Sequence, residues 1–128
     1  MDIDVAHKAL KECELRHKAL ARRIGDIGFI WQGSVSKRYL KCGKATCACQ
    51  RDPDSRHGPY YYWTTKVAGK SVAKKLDGAH AELLQEWVKN RIEMDSIIAE
   101  MRKVSKEALE AALIIAEEEQ TASKKPQE

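Results

Sequence analysis

Three of the chain's four cysteines, Cys42, Cys47 and Cys49, fall within eight positions in Cys-Gly-Lys-Ala-Thr-Cys-Ala-Cys, and His57 follows in His-Gly-Pro-Tyr-Tyr-Tyr. Thiolate sulfur and imidazole nitrogen are the ligands Zn²⁺ prefers, and four of them close a tetrahedral structural site. Cys42, Cys47, Cys49 and His57 are therefore the expected metal ligands. With four protein ligands no position stays open for water, so such an ion would hold a fold and would not hydrolyse anything. The spacing C-x4-C-x-C is not one of the common finger spacings, and His57 has a second reading as a hydrogen-bonding residue in a tight Gly-Pro turn. A thiol redox role for Cys47 and Cys49 is the other chemistry on offer, since neighbouring lysines and Arg51 favour thiolates. The pair lacks the helix-start setting of the usual CxxC oxidoreductases. Cys13 and His17, four residues apart on one helical face, read as a core cysteine with a neighbour before they read as ligands.

No Gly-rich phosphate loop, serine nucleophile elbow or HExxH helix is present, and the expectation is a binding protein, not an enzyme. At 128 residues the chain is the size of one domain. Apolar residues make up 43% and charged residues 33%, which suits a helix-rich soluble protein with a modest core. No basic start followed by an apolar run suggests a secretory leader, and no stretch approaches bilayer length. A cytoplasmic location with reduced, metal-binding cysteines is expected, with no membrane and no small-molecule substrate.

Charge is unevenly placed. Residues 35–75 carry ten basic side chains against Asp52 and Asp54, a net of +8, whereas residues 77–128 are net acidic by five. Phe29, Trp31, Tyr39, Tyr60, Tyr61, Tyr62 and Trp63 crowd the same middle stretch. Cations interleaved with aromatics suit a nucleic-acid surface, DNA before RNA. The expected contacts are Lys37, Arg38, Lys41, Lys44, Tyr62, Lys66, Lys70, Lys74 and Lys75, with Lys66, Lys70, Lys74 and Lys75 along one phosphate backbone. The rival reading is an adaptor whose zinc-held module binds another protein and whose charge serves solubility.

These residues must be positioned by the elements around them. Ile3, Ala6, Leu10, Cys13, His17, Leu20, Ile24 and Ile27 alternate steps of three and four, which predicts a helix over 3–27. Residues 79 to about 119 hold no glycine or proline and predict a second helix, capped by Asp77, with Leu84, Trp87, Met94, Ile98, Met101, Ala108, Ala112 and Ile115 along one side. At 1.5 Å per residue it would reach about 60 Å, more than the first helix can cover. A homodimer is therefore expected, with Ile98, Met101, Leu109, Leu113 and Ile115 in contact. Between the helices, residues 33–41, 60–67 and 71–76 read as strands, the last two joined across Ala68-Gly69-Lys70. The predicted fold is α+β: an antiparallel, coiled-coil-like helical hairpin flanking a small three-stranded, zinc-stabilised β module. Its parts are residues 1–28, 29–76 and 77–119, then a disordered tail over 120–128.

Gly33-Ser, Tyr39-x-x-Cys-Gly-Lys-x-x-Cys-x-Cys49, His57-Gly-Pro-Tyr-Tyr-Tyr62 and Gly69-Lys70 resemble an uncharacterised prokaryotic domain family marked by CGKxxCxC followed by HGPYYY. The resemblance covers residues 33–76. It implies that Cys42, Cys47, Cys49 and His57 belong together, and it carries no established activity. Ala45 and Ala48 stand where many members have a proline and an arginine, and neither difference touches a ligand.

Overall fold

In the computed structural model, which describes residues 1–123, the Asp2 carboxylate accepts the Val5 N–H at 2.9 Å and starts helix α1, Ile3–Gly25. Arg22 and Arg23 lie in its last turn, where cations suit the exposed carbonyls. The helix stops two residues earlier than the apolar spacing predicts. Helix α2, Gly78–Ser123, opens on Asp77, whose carboxylate accepts the His80 N–H at 2.9 Å as expected. It runs past the predicted end, so residues 120–123 are its last turn, and the remainder of the predicted tail lies outside the described residues. No helix among those residues is long and apolar enough to cross a membrane.

Three strands lie between the helices: β1, Ser34–Leu40; β2, His57–Val67; and β3, Lys70–Leu76. They form one antiparallel sheet in the order β1-β2-β3. The α+β class and the three-stranded antiparallel sheet are thus as predicted, with a cysteine-histidine cluster beside the sheet. The β2–β3 turn is tighter than predicted. Val67 pairs with Lys70, leaving only Ala68 and Gly69, at φ 51° and 80°, in a two-residue turn of the hand that suits twisted strands.

Register sorts the side chains onto two faces, because partners across a sheet share a side. Ser34, Ser36, Arg38, Tyr60, Tyr62, Thr64, Lys66, Ser71, Ala73 and Lys75 share one, here called the polar face. Val35, Lys37, Tyr61, Trp63, Thr65, Val67, Lys70, Val72, Lys74 and Leu76 share the other, the tryptophan face. Alternation along β2 thus sets Tyr61, Trp63 and Val67 against Tyr62, Thr64 and Lys66.

The chain divides into two compact units, residues 1–27 with residues 93 onward, and residues 28–92. In the first, Ala6 and Cys13 of α1 and Ile97, Val104 and Ala111 of α2 are buried. The α2 positions recur every seven residues, flanked by half-buried Met94, Met101, Ala108 and Ile115. The buried line therefore runs one position away from the predicted Ile98 and Ala112, and Ile98 is 39% exposed. Arg16 pairs with Glu107, and the Cys13 thiol points at the same carboxylate.

In the second unit, residues 29–33 are strapped to α2. The Trp31 N–H donates to the Trp87 carbonyl at 3.2 Å, the Asn90 amide to the Phe29 carbonyl at 2.8 Å, and Arg91 Nη2 to the Gly33 carbonyl at 2.7 Å. The Trp63 indole N–H donates to the Gln32 carbonyl at 2.9 Å.

Candidate metal centre

The loop after β1 is held by its own turns. The Cys47 N–H donates to the Lys44 carbonyl, and Cys47 then starts a short 3-10 turn over Ala48–Gln50. Asp52 caps a second, Pro53–Ser55, accepting from the Asp54 N–H at 3.1 Å and the Ser55 hydroxyl at 2.9 Å. The Gln50 amide reaches back to the Cys42 carbonyl. Such bonds let a polar loop fold on itself and return to the sheet at His57.

His57 belongs to β2, three residues before the predicted strand start. Arg38 pairs with Tyr60 but Leu40 pairs with His57, so Gly58 and Pro59 together face Tyr39 in a bulge. Gly58 has φ 142°, and a Cβ there would come within 2.7 Å of the Arg38 carbonyl oxygen, so glycine alone fits. The bulge puts His57 opposite Leu40, two residues from Cys42. Local geometry thereby joins the two ends of the motif.

The Sγ atoms of Cys42, Cys47 and Cys49 and a ring nitrogen of His57 all lie within 4.8 Å of one another. Cys42 Sγ and Cys49 Sγ are 3.5 Å apart, and Cys47 Sγ is 3.3 Å from His57 Nε2. Tetrahedral zinc with three sulfur ligands and one nitrogen ligand sets donors about 3.5–3.8 Å apart. The four residues can close on such an ion with small adjustments, so the donor set fits. All four predicted ligands are brought together, and no other group of three or more His, Cys, Asp or Glu ligands assembles among the described residues. Cys13 and His17 gather no further ligands; Cys13 is buried in its helical seam, as the core reading expects.

The thiols are unequal. The Cys49 backbone pulls the Cys47 thiol down to about 6, helped by the His57 ring and by the Cys49 and Cys42 thiols. Cys49 Sγ accepts the Cys42 N–H at 3.3 Å, which favours its thiolate, but burial and the two neighbouring thiols outweigh that bond and raise it. Three sulfurs crowded together without a cation repel one another as thiolates. A divalent ion would remove that conflict.

The cations predicted to touch nucleic acid are all exposed, but the sheet does not place them together. Arg38, Tyr62, Lys66 and Lys75 share the polar face, whereas Lys37, Lys70 and Lys74 share the tryptophan face. Lys41 and Lys44 sit on the metal loop. The row Lys66, Lys70, Lys74 and Lys75 is therefore corrected: β3 alternates, so adjacent Lys74 and Lys75 must point to opposite sides. On the polar face Arg38 lies 4.6 Å from the Tyr62 ring centre, and Lys75 lies 4.3 Å from that of Tyr60. The expected contact set has Tyr62 but not Tyr60, which shares its face and lies under Lys75.

The fold and cluster thus define a small α+β chain with a candidate Cys₃His metal centre beside a cationic sheet. A family model for a domain of unknown function (DUF6788) matches residues 10–86, and the chain belongs to that family. The match takes in the whole sheet and all four ligands. Neither a curated protein nor a solved structure matches the chain.

Proposed function

We propose that the protein is a zinc-structured nucleic-acid-binding protein, DNA being the preferred partner, and not an enzyme. One observation carries this reading: the strands hold Arg38, Lys37, Lys66, Lys70, Lys74 and Lys75 and no carboxylate. The polar face offers Arg38, Lys66 and Lys75 with the hydroxyls of Ser34, Ser36, Thr64 and Ser71, a set that suits phosphate oxygens. Zinc serves as the missing core. Among residues 28–92 only Cys49, Ala81 and Val88 are buried, too little to hold a sheet unaided.

The two helices act as an antiparallel, coiled-coil-like hairpin that joins two copies of the chain. Support comes from the seven-residue spacing of Ile97, Val104 and Ala111 and from the opposed chain order of the contacts: Arg23 and Arg16 border one depression with Glu100, and Cys13 borders another with Ala108. The adaptor reading draws on Leu109 and Leu113, 58% and 53% exposed. A homodimer uses the same side chains.

A mobility shift with random duplex and with single strands at low salt, with and without a chelator, tests the reading. Binding by the zinc form and its loss with the metal are expected. No shift in either state would leave the adaptor role in its place.

A further inference from the structure

The tryptophan face and the first turns of α2 enclose a cleft of about 340 Å³ within the second unit. Trp31, Trp63, Trp87, Leu76 and Leu84 supply most of its lining, and Lys74 stands at its edge. We infer that this cleft receives one unpaired base of a single-stranded nucleic acid, with Lys74 against the adjoining phosphate. The inference rests on the nucleic-acid reading above and gives it a substrate class.

Size limits the guest. The volume lies near the lower end of the roughly 300–1,000 Å³ usual for ligand sites, so it admits one ring system and not a peptide helix. Chemistry narrows it further. Indole rings favour either a flat π-system or a cation over their faces. Lys74 pairs across the strands with Trp63, and Lys37 and Lys70 share the same face, so a cationic guest meets like charge. His80, the other polar residue at the cleft, is held 3.2 Å from the Asp77 carboxylate. A flat ring carrying an anion is what remains, and a nucleotide is that combination.

The walls are set before any guest arrives. Trp63 is tied through its indole N–H to the Gln32 carbonyl, and Trp31 through its backbone N–H to the Trp87 carbonyl. Trp31 and Trp63 lean together with centres 6.3 Å apart, and Phe29 tilts against Trp87 at 5.2 Å. Trp31 is nevertheless 43% exposed, its main chain held in place and its apolar ring open to solvent. Fixed walls lower the ordering cost of binding. On the polar face, by contrast, Tyr60 and Tyr62 already have cations over their rings. That side suits phosphates, and the cleft suits a base.

The test compares a labelled twelve-nucleotide single strand with a fully abasic strand of the same length, by fluorescence anisotropy on the zinc-loaded full chain at low salt. The base-bearing strand should bind about tenfold tighter. Trp31→Ala should bring the two strands to one affinity while the abasic strand binds as before, and Lys74→Gln should weaken both. The base-bearing strand alone should quench tryptophan fluorescence of the wild type, a readout that stands even where Trp31→Ala fails to fold. Equal binding of both strands to the wild type, or a base preference that survives Trp31→Ala, overturns the cleft assignment and leaves phosphate binding intact. No binding of either strand overturns both readings.

Discussion

Cys47 is where the site's chemistry is most exposed to measurement. Its thiol, drawn down to about 6, is mostly thiolate at neutral pH in the metal-free protein, whereas that of Cys49 is raised and 1% exposed. Iodoacetamide should therefore alkylate Cys47 before Cys49, and zinc should protect both. The fold favours the Cys47 thiolate, so its contribution to stability is complete above the ordinary thiol value and fades as pH falls through about 6. Alkylation of Cys47 should slow over the same range. Peptide mapping that finds Cys49 modified first would contradict this ordering. Elemental analysis of the purified protein should give about one zinc per chain, and Cys47→Ser should lose it while helical circular dichroism stays close to wild type. Retention of a full equivalent by that variant would remove Cys47 from the site. The ligands were legible in the sequence because all four lie between residues 42 and 57. How the loop closes was not legible: Gly-Pro reads as a turn, yet Gly58 and Pro59 form a bulge inside β2 that carries His57 to the cysteines.

Among the elements, the β2–β3 hairpin holds the clearest local strain. Ala68 occupies φ 51°, a conformation that costs an ordinary L-residue about 1 kcal/mol. Ala68→Asn gives the Asn-Gly pair that two-residue turns of this type favour, and it should stabilise the second unit by about 0.5–1 kcal/mol. Urea unfolding followed through tryptophan fluorescence checks it; a lower midpoint would show that the turn needs alanine for another reason. The two helices were legible from their spacing and lack of breakers, but the exact line of contact on α2 was not. Ile97 and Ile98 are equal as sequence, and only packing decides that Ile97 is buried and Ile98 partly exposed. Register was likewise hidden. A run such as Lys74-Lys75 announces charge, while alternation along β3 divides it between two faces. Trp31, Trp63 and Trp87 lie far apart in the sequence, and Trp87 falls within a helix stripe. Leu83, Leu84 and Trp87 beside an alternating Trp63 were the available signs of a shared cleft.

For the whole molecule, the exposed Leu109 and Leu113 predict self-association. Light scattering at micromolar concentration should give about twice the 14.5 kDa of one chain, and Leu109→Glu with Leu113→Glu should return it to one. A wild-type mass near 14.5 kDa would rule the dimer out. The central claim is that the zinc-ordered sheet binds nucleic acid through its cations. Exposed charges contribute little to folding, so Arg38→Gln, Lys66→Gln and Lys75→Gln together should leave the fold and zinc content unchanged. The most direct measurement is the affinity for a duplex as a function of salt, for the wild type and this triple variant. The wild type should show a log–log slope of about −3 if the polar face neutralises three phosphates, and the triple variant should lose most of that slope along with its affinity. Wild-type affinity that does not change with salt, or no binding even at low salt, would contradict the account.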